Sequence, residues 1–182
     1  MKRLMIGIAT AFVLAQVAAA QPQQPYAGLE MRPIKALSDQ QIADLRAGRG
    51  MGLALAAELN GYPGPLHVLE LAKALELSEA QRAKTQALFE AMKAETVPLG
   101  ERLIAEETAL DRQFAGKTVT EASLAAATQA IGATQAALRA AHLKYHLATA
   151  AALTPVQVQR YAELRGYAGD APAVHPHAHH PH

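Results

Sequence analysis

The 182-residue chain carries 17 basic and 16 acidic side chains, with no cysteine and no tryptophan. A charge this balanced offers no electrostatic footprint for nucleic acid. The missing thiols exclude disulfides and cysteine chemistry, so packing and self-association have to hold the fold together.

Residues 1–20 read as a secretory leader. Lys2 and Arg3 precede an apolar run from Leu4 to Val17, and Ala18-Ala19-Ala20 supplies small residues for cleavage near Gln21. The run is short for a bilayer span, so the expected product is exported to the periplasm and freed there. No cysteine follows it, so lipid anchoring through an N-terminal cysteine is not expected. Without Lys2 and Arg3 the balance is 15 basic against 16 acidic residues. Residues 21–36 are expected to be a flexible N-terminal segment.

From residue 37 to 167 the pattern is helical throughout, with no sustained alternation of β-branched and polar residues to suggest a strand. The first helix is expected over about 39–59, with a possible break at Gly48 to Gly52. The "GRGMG" run there superficially resembles a phosphate-cradling loop, but no strand precedes it and no Lys-Ser/Thr follows. A flexible joint or a close helix contact is the better reading. Asn60-Gly61 and "YPGP" should end that helix and start the next, 65–75, with Pro65 in its first turn.

The helix predicted over 79–115 carries Leu88, Leu99 and Leu110, interleaved with Met92, Leu103 and Phe114, two series with a spacing of eleven. Eleven residues make three nearly unstrained turns. Pro98 interrupts the stripe and is expected to bend the helix. A helix over 120–151 repeats instead every seven residues through Leu124, Ile131, Leu138 and Tyr145. It is flanked by Ala127, Thr134, Ala141 and Ala148, small enough for close helix approach. A short helix over 155–166 follows. The expected fold is all-α, with four to five helices: an antiparallel hairpin of the two long ones and shorter ones packed at its ends. Alanine-rich helices bury little area, which favours a dimer.

Three helix starts share one grammar: Leu37-Ser38 with Gln41, Leu77-Ser78 with Gln81, and Leu153-Thr154 with Gln157. Each Ser or Thr can accept from a free backbone N–H while the Gln three residues on reaches back, a capping box, with the Leu as an apolar staple. Thr118 with Glu121, or Thr120 just after it, marks a further start. Pro155 falls at the first helical position, where its missing N–H costs nothing.

Leu153-Thr154-Pro155-Val156-Gln157, with the earlier copy Leu77-Ser78-Glu79-Ala80-Gln81, resembles the LTXXQ motif of the periplasmic Spy/CpxP-like proteins, which include zinc-associated and heavy-metal-sensing members. The earlier copy carries Ser where the motif has Thr. The leader, the lack of cysteine, the helical pattern and the histidine-rich end agree, so the resemblance covers most of residues 30–167. It implies a hooked four-helix fold, often a cradle-shaped dimer, working without ATP in envelope stress. Members either hold unfolded polypeptides against aggregation, or bind divalent metal and modulate a membrane-bound signalling regulator.

His175, His177, His179, His180 and His182 crowd the last eight residues, after a Gly/Ala/Pro stretch beginning near Ala168. Imidazole suits zinc, copper and nickel, and such a tract can wrap one ion; it can equally be a disordered solvating end. His142 and His146 stand one turn apart on one helix face, the spacing at which two imidazoles share an ion. Packing at a helix interface is the competing reading, because His142 lies beside the heptad stripe. His67 and Glu70 form a further i,i+3 pair. Glu106, Glu107 and Asp111 are expected on a solvated face. Serines only at caps and first turns, no cysteine and no HExxH leave no catalytic constellation, so the chain is expected to be non-enzymatic. No cofactor is required; zinc or another divalent transition metal is the candidate ligand. The two readings carried forward are a chaperone for unfolded clients with metal as a modulator, and a metal sensor or buffer.

Overall fold

A computed structural model describes residues 26–167. The leader expected over 1–20 and the tail over 168–182, with His175, His177, His179, His180 and His182, lie outside the described residues. Among the described residues the protein is all-helical: a 3₁₀ turn at Leu29–Met31, then α1 (Asp39–Arg46), α2 (Leu55–Glu58), α3 (Pro65–Glu70), α4 (Glu79–Ala115), α5 (Glu121–Ala150) and α6 (Pro155–Leu164).

Six α-helices thus stand where four to five were expected, and the difference lies at "GRGMG". Gly48 (φ 66), Met51 (φ 43) and Gly52 (φ 85) adopt left-handed backbone, which no right-handed helix can continue through. Gly48 also has no room for a side chain, since a Cβ there would stand 2.8 Å from Thr96 Oγ1 on α4. The run is both a turn and a close helix contact. The expected 65–75 helix closes early at Glu70 and continues as turns, whereas α4, α5 and α6 end within two residues of their expected bounds. Pro98 sits inside α4 without dividing it.

The long helices α4 and α5 pack along each other more extensively than any other pair, and α1 and α3 both lie on α4. The eleven-residue stripe of α4 faces this packing: Met92 and Leu103 are buried, and Leu99 and Leu110 pack against the main core. Its last member, Phe114, is 55% exposed because α4 ends one residue later. On α5 the heptad residues Ile131 and Leu138 are buried with Thr134 and Ala141 beside them. Ile34, Leu37, Leu45, Leu103, Ile104, Ile131 and Leu138 form one core. Val68, Leu75 and Tyr161 form a second, with Leu71, Leu77 and Leu153 packed against it. Of the leucines at the repeated helix starts, Leu37 is therefore a core residue, and Leu77 and Leu153 are half-buried against the second core.

Three of the four buried threonines are neutralised locally, whereas Thr134 Oγ1 has no hydrogen-bond partner. Thr85, Thr96 and Thr149 each donate to the carbonyl four residues back, at 2.7–2.9 Å. This removes the cost of a buried, unpaired hydroxyl. The acidic residues expected in solvent are half-buried instead. Glu106 pairs with Arg102 at 2.8 Å and Asp111 with Lys35 at 3.5 Å, while burial, with Glu106 alongside, raises the Glu107 carboxyl above the usual range.

Capping boxes close the N-termini of α1, α4, α5 and α6, on Ser38/Gln41, Ser78/Gln81, Thr120/Ser123 and Thr154/Gln157. Two of them are joined. Gln81 Nε2 donates to Gln157 Oε1 at 2.8 Å and Gln157 Nε2 donates back to Gln81 Oε1 at 3.1 Å. Their remaining N–H groups reach Ala152 O (3.1 Å) and Leu75 O (3.2 Å), and each Oε1 also accepts its own cap N–H. Both amides thus use two donors and two acceptor sites, all that an amide possesses. The pair fixes the start of α6 on the start of α4.

Gln157→Glu keeps the shape but replaces both donors by a second acceptor facing Leu75 O and Gln81 Oε1. It should cost about 1–3 kcal/mol at pH 7, measured by urea unfolding, with part regained on acidification toward about pH 4.3, because the facing acceptors raise the folded carboxyl above its unfolded pKa. At Gly100 a Cβ would stand 2.5 Å from Leu45 O of α1. Gly100→Ala should therefore destabilise by about 1–3 kcal/mol, although alanine is the better helix former.

Candidate functional site

The turn from Gly48 to Gly52, α2, the start of α3, and facing residues of α4 and α5 enclose a pocket of about 520 Å³. This is within the usual range for a small-ligand site. Its walls are mixed: Met51, Leu55, Phe89 and Met92 are apolar, Lys93 and Arg165 carry positive charge, and Glu58, His142 and His146 are the polar groups set deepest by burial. The one-turn spacing on α5 aims both imidazoles into this space, because residues four apart share a helix face.

His142 is 2% exposed, and its Nε2 is buried with no hydrogen-bond partner. Burial, then the neighbouring His146, holds its pKa below the ordinary imidazole value, so the ring is neutral near pH 7. His146, also buried, has Nδ1 2.7 Å from Tyr62 O. A carbonyl only accepts, so Nδ1 carries the proton, and in the neutral ring Nε2 keeps its lone pair. A neutral imidazole with an unpartnered nitrogen, His142, and a second imidazole one turn away match the donor chemistry of a divalent transition ion. The carbonyl of Tyr62 sets the tautomer, as partners of metal-binding histidines commonly do. Among the described residues, no three His, Cys, Asp or Glu side chains stand in one group able to hold an ion.

Glu58, the last residue of α2, is 9% exposed and its carboxylate is shared. Oε1 accepts a very short hydrogen bond from the Tyr161 hydroxyl and a second from Tyr167 at 3.2 Å, with Arg165 Nε at 3.8 Å. Oε2 accepts from Gly64 N at 3.3 Å and lies 3.7 Å from His146 Nδ1. Burial and then Glu58 push the Tyr161 phenol far above its usual range, so it remains a donor. The carboxylate links α2 to the end of α6 while bordering the histidine pocket.

His142 and His146 are thus brought together in a pocket, and the packing reading for His142 is met in burial but not in hydrogen bonding. His67 reaches Glu70 at 2.8 Å on the pocket's rim rather than the other imidazoles. Leu77, Ser78, Gln81, Leu153, Thr154 and Gln157 lie at the helix junction, as structural groups. Glu58, Tyr161 and Tyr167 were missed by sequence reasoning. The available signal was a lone carboxylate in the apolar run "LALAAELNG" and the tyrosine of "VQRYAEL" one turn into α6 from Gln157. Elsewhere on α5, Lys144 and Tyr145 both engage Glu95, at 2.6 and 3.1 Å, and the Lys144 hydrogen bond holds the Glu95 carboxyl below its usual range.

Compared with known proteins, the chain matches no family model, no curated protein and no solved structure. No helix among the described residues is long and apolar enough to cross a membrane.

The depressed His142 pKa gives a signed pH dependence. An unfolded imidazole titrates near 6.5, so the folded state forgoes a proton that the unfolded state takes up. The stability this contributes is complete above about pH 6.5 and is lost as the pH falls toward the lower folded-state value. Urea unfolding at pH 7.5 and 5.5 should show the wild type losing stability on acidification, and His142→Leu losing distinctly less.

Proposed function

We infer that the protein is a non-enzymatic, exported chaperone that holds unfolded polypeptides without ATP and is modulated by divalent metal bound at its histidines. One observation carries this reading: the segment from Met51 to His67 exposes Met51, Leu55, Leu59, Tyr62 and Leu66, each 38–57% open to solvent, and three of these, Met51, Leu55 and Leu66, also line the pocket that holds His142 and His146. Isolated exposed leucines mean little, but five large apolar side chains within sixteen residues make a surface suited to weak, promiscuous contacts. Metal in the pocket would act on the surface that meets the client. A cradle formed by an antiparallel helical hairpin in a dimer, and a heavy-metal-resistance role, belong to the same reading through the LTXXQ resemblance.

The second reading, a periplasmic metal sensor or buffer acting on a membrane-bound regulator, is favoured by the buried and unpartnered His142 Nε2. Buried polar atoms are rarely left unsatisfied without cause.

Light scattering of a thermally denaturing client, with and without zinc, separates the two. The chaperone reading expects suppression by the full-length protein and a loss of roughly half or more of it in Leu55→Ser/Leu59→Ser. Unchanged client aggregation in both conditions, together with zinc, nickel or cobalt binding at tens of micromolar or tighter, selects the sensor. Sedimentation at high micromolar concentration should show a dimer; a monomer there removes the cradle from the proposal.

A further inference from the structure

Three cations, Arg49, Lys93 and Arg165, line the pocket against one carboxylate, Glu58. The chain as a whole carries 17 basic and 16 acidic side chains, so the pocket is more positive than the molecule around it. Two of the cations are engaged. Arg49 reaches Asp44 at 2.6 Å, and Arg165 lies 3.2 Å from the Tyr167 hydroxyl and 3.8 Å from Glu58. Glu58 itself is committed to Tyr161, Tyr167 and Gly64 N. Lys93 takes part in no ion pair among the described residues. Its Nζ stands 5.9 Å from the centre of the Phe89 ring, one turn back on α4. An unpaired lysine on an open surface is ordinary. Lys93 is exposed, but it borders a cavity whose neighbouring walls, Met51, Leu55, Phe89 and Met92, are apolar.

We propose that this pocket binds a single-chain fatty carboxylate, with its head at Lys93 and its alkyl chain among Met51, Leu55, Phe89 and Met92. The proposal goes beyond the client and metal readings and rests on neither. An ammonium is a compact point charge with three rotatable donors, suited to one small anion. Because Lys93 is exposed, the carboxylate stays at the water's edge and avoids the penalty of a buried charge, while the bond between them is charge-assisted. The alkyl chain gains from apolar area removed from water, which requires no directed partner. Two of its walls are methionines, whose unbranched thioethers adapt to a flexible chain. The same combination disfavours other occupants. A cationic amphiphile would meet Arg49, Lys93 and Arg165, and a sugar or nucleoside would leave polar groups unpaired against methionine and phenylalanine.

Calorimetric titration of the full chain at pH 7.5 tests this, with chelator present so that metal on the histidines plays no part. The probes are octanoate and decanoate, with decanol as the uncharged counterpart. Decanoate should bind saturably, one per chain. Each methylene adds about fourfold, so octanoate should bind about tenfold more weakly. Lys93→Met, which keeps the apolar stem and removes the charge, should weaken decanoate about tenfold, the equivalent of one charge-assisted hydrogen bond, and leave decanol unchanged. Its urea midpoint, expected at the wild-type value because Lys93 is exposed and unpaired, shows that the fold is kept. Leu55 and Leu59 are 55% and 57% exposed, but only Leu55 lines the pocket. Leu55→Ser should therefore weaken both probes and Leu59→Ser neither. Decanol binding as tightly as decanoate, or wild-type decanoate affinity in Lys93→Met, would overturn the proposal by showing that no charge is read. Equal losses in Leu55→Ser and Leu59→Ser would overturn it in favour of a general apolar surface. So would the absence of saturable decanoate binding up to about 1 mM, the weak end of specific affinity.

Discussion

Two glutamine side chains hold this protein's architecture at one point. The Gln81–Gln157 pair joins the N-terminus of α4 to that of α6, and every donor and acceptor of both amides is used. A part-buried amide with one unmet group would cost about as much as the contact gains, so the joint works only as a complete set. Its position decides much else. With the start of α6 pinned there, Tyr161 falls into the second core and its hydroxyl reaches Glu58. The histidine pocket is closed at that end by Arg165 and Tyr167 for the same reason.

The rest of the molecule shows how alanine-rich helices manage with small side chains. Gly48 and Gly100 let α1 and the following turn touch α4 at backbone distance, and Thr85, Thr96 and Thr149 return their hydroxyls to their own helix. Close approach replaces bulk. The consequence is a fold with two modest cores that leaves many larger apolar residues exposed, five of them between Met51 and Leu66. Those five residues and the histidine pocket share one stretch of chain.

The place of His142 beside the heptad stripe buries it, and its Nε2 finds no partner there. His146, by contrast, is oriented by the carbonyl of Tyr62, a contact across 84 positions of sequence. The pair differ in how they are held although they sit one turn apart.

Helix type and most boundaries were legible in the sequence by itself, because caps, prolines and periodicity act within a few residues. Ser78 with Gln81 and Thr154 with Gln157 announce helix starts through bonds that span three positions. The repeated leucines announce the buried faces in the same local way. Tertiary structure alone decided that the two capping glutamines would meet each other, and that Glu58 would stand between His146 and two tyrosines more than a hundred residues further along the chain. Those placements depend on how the backbone turns at Gly48 to Gly52 and at "YPGP", and on how closely the helices pack. A side chain's charge or spacing in the sequence carries no record of which distant group will share its hydrogen bond.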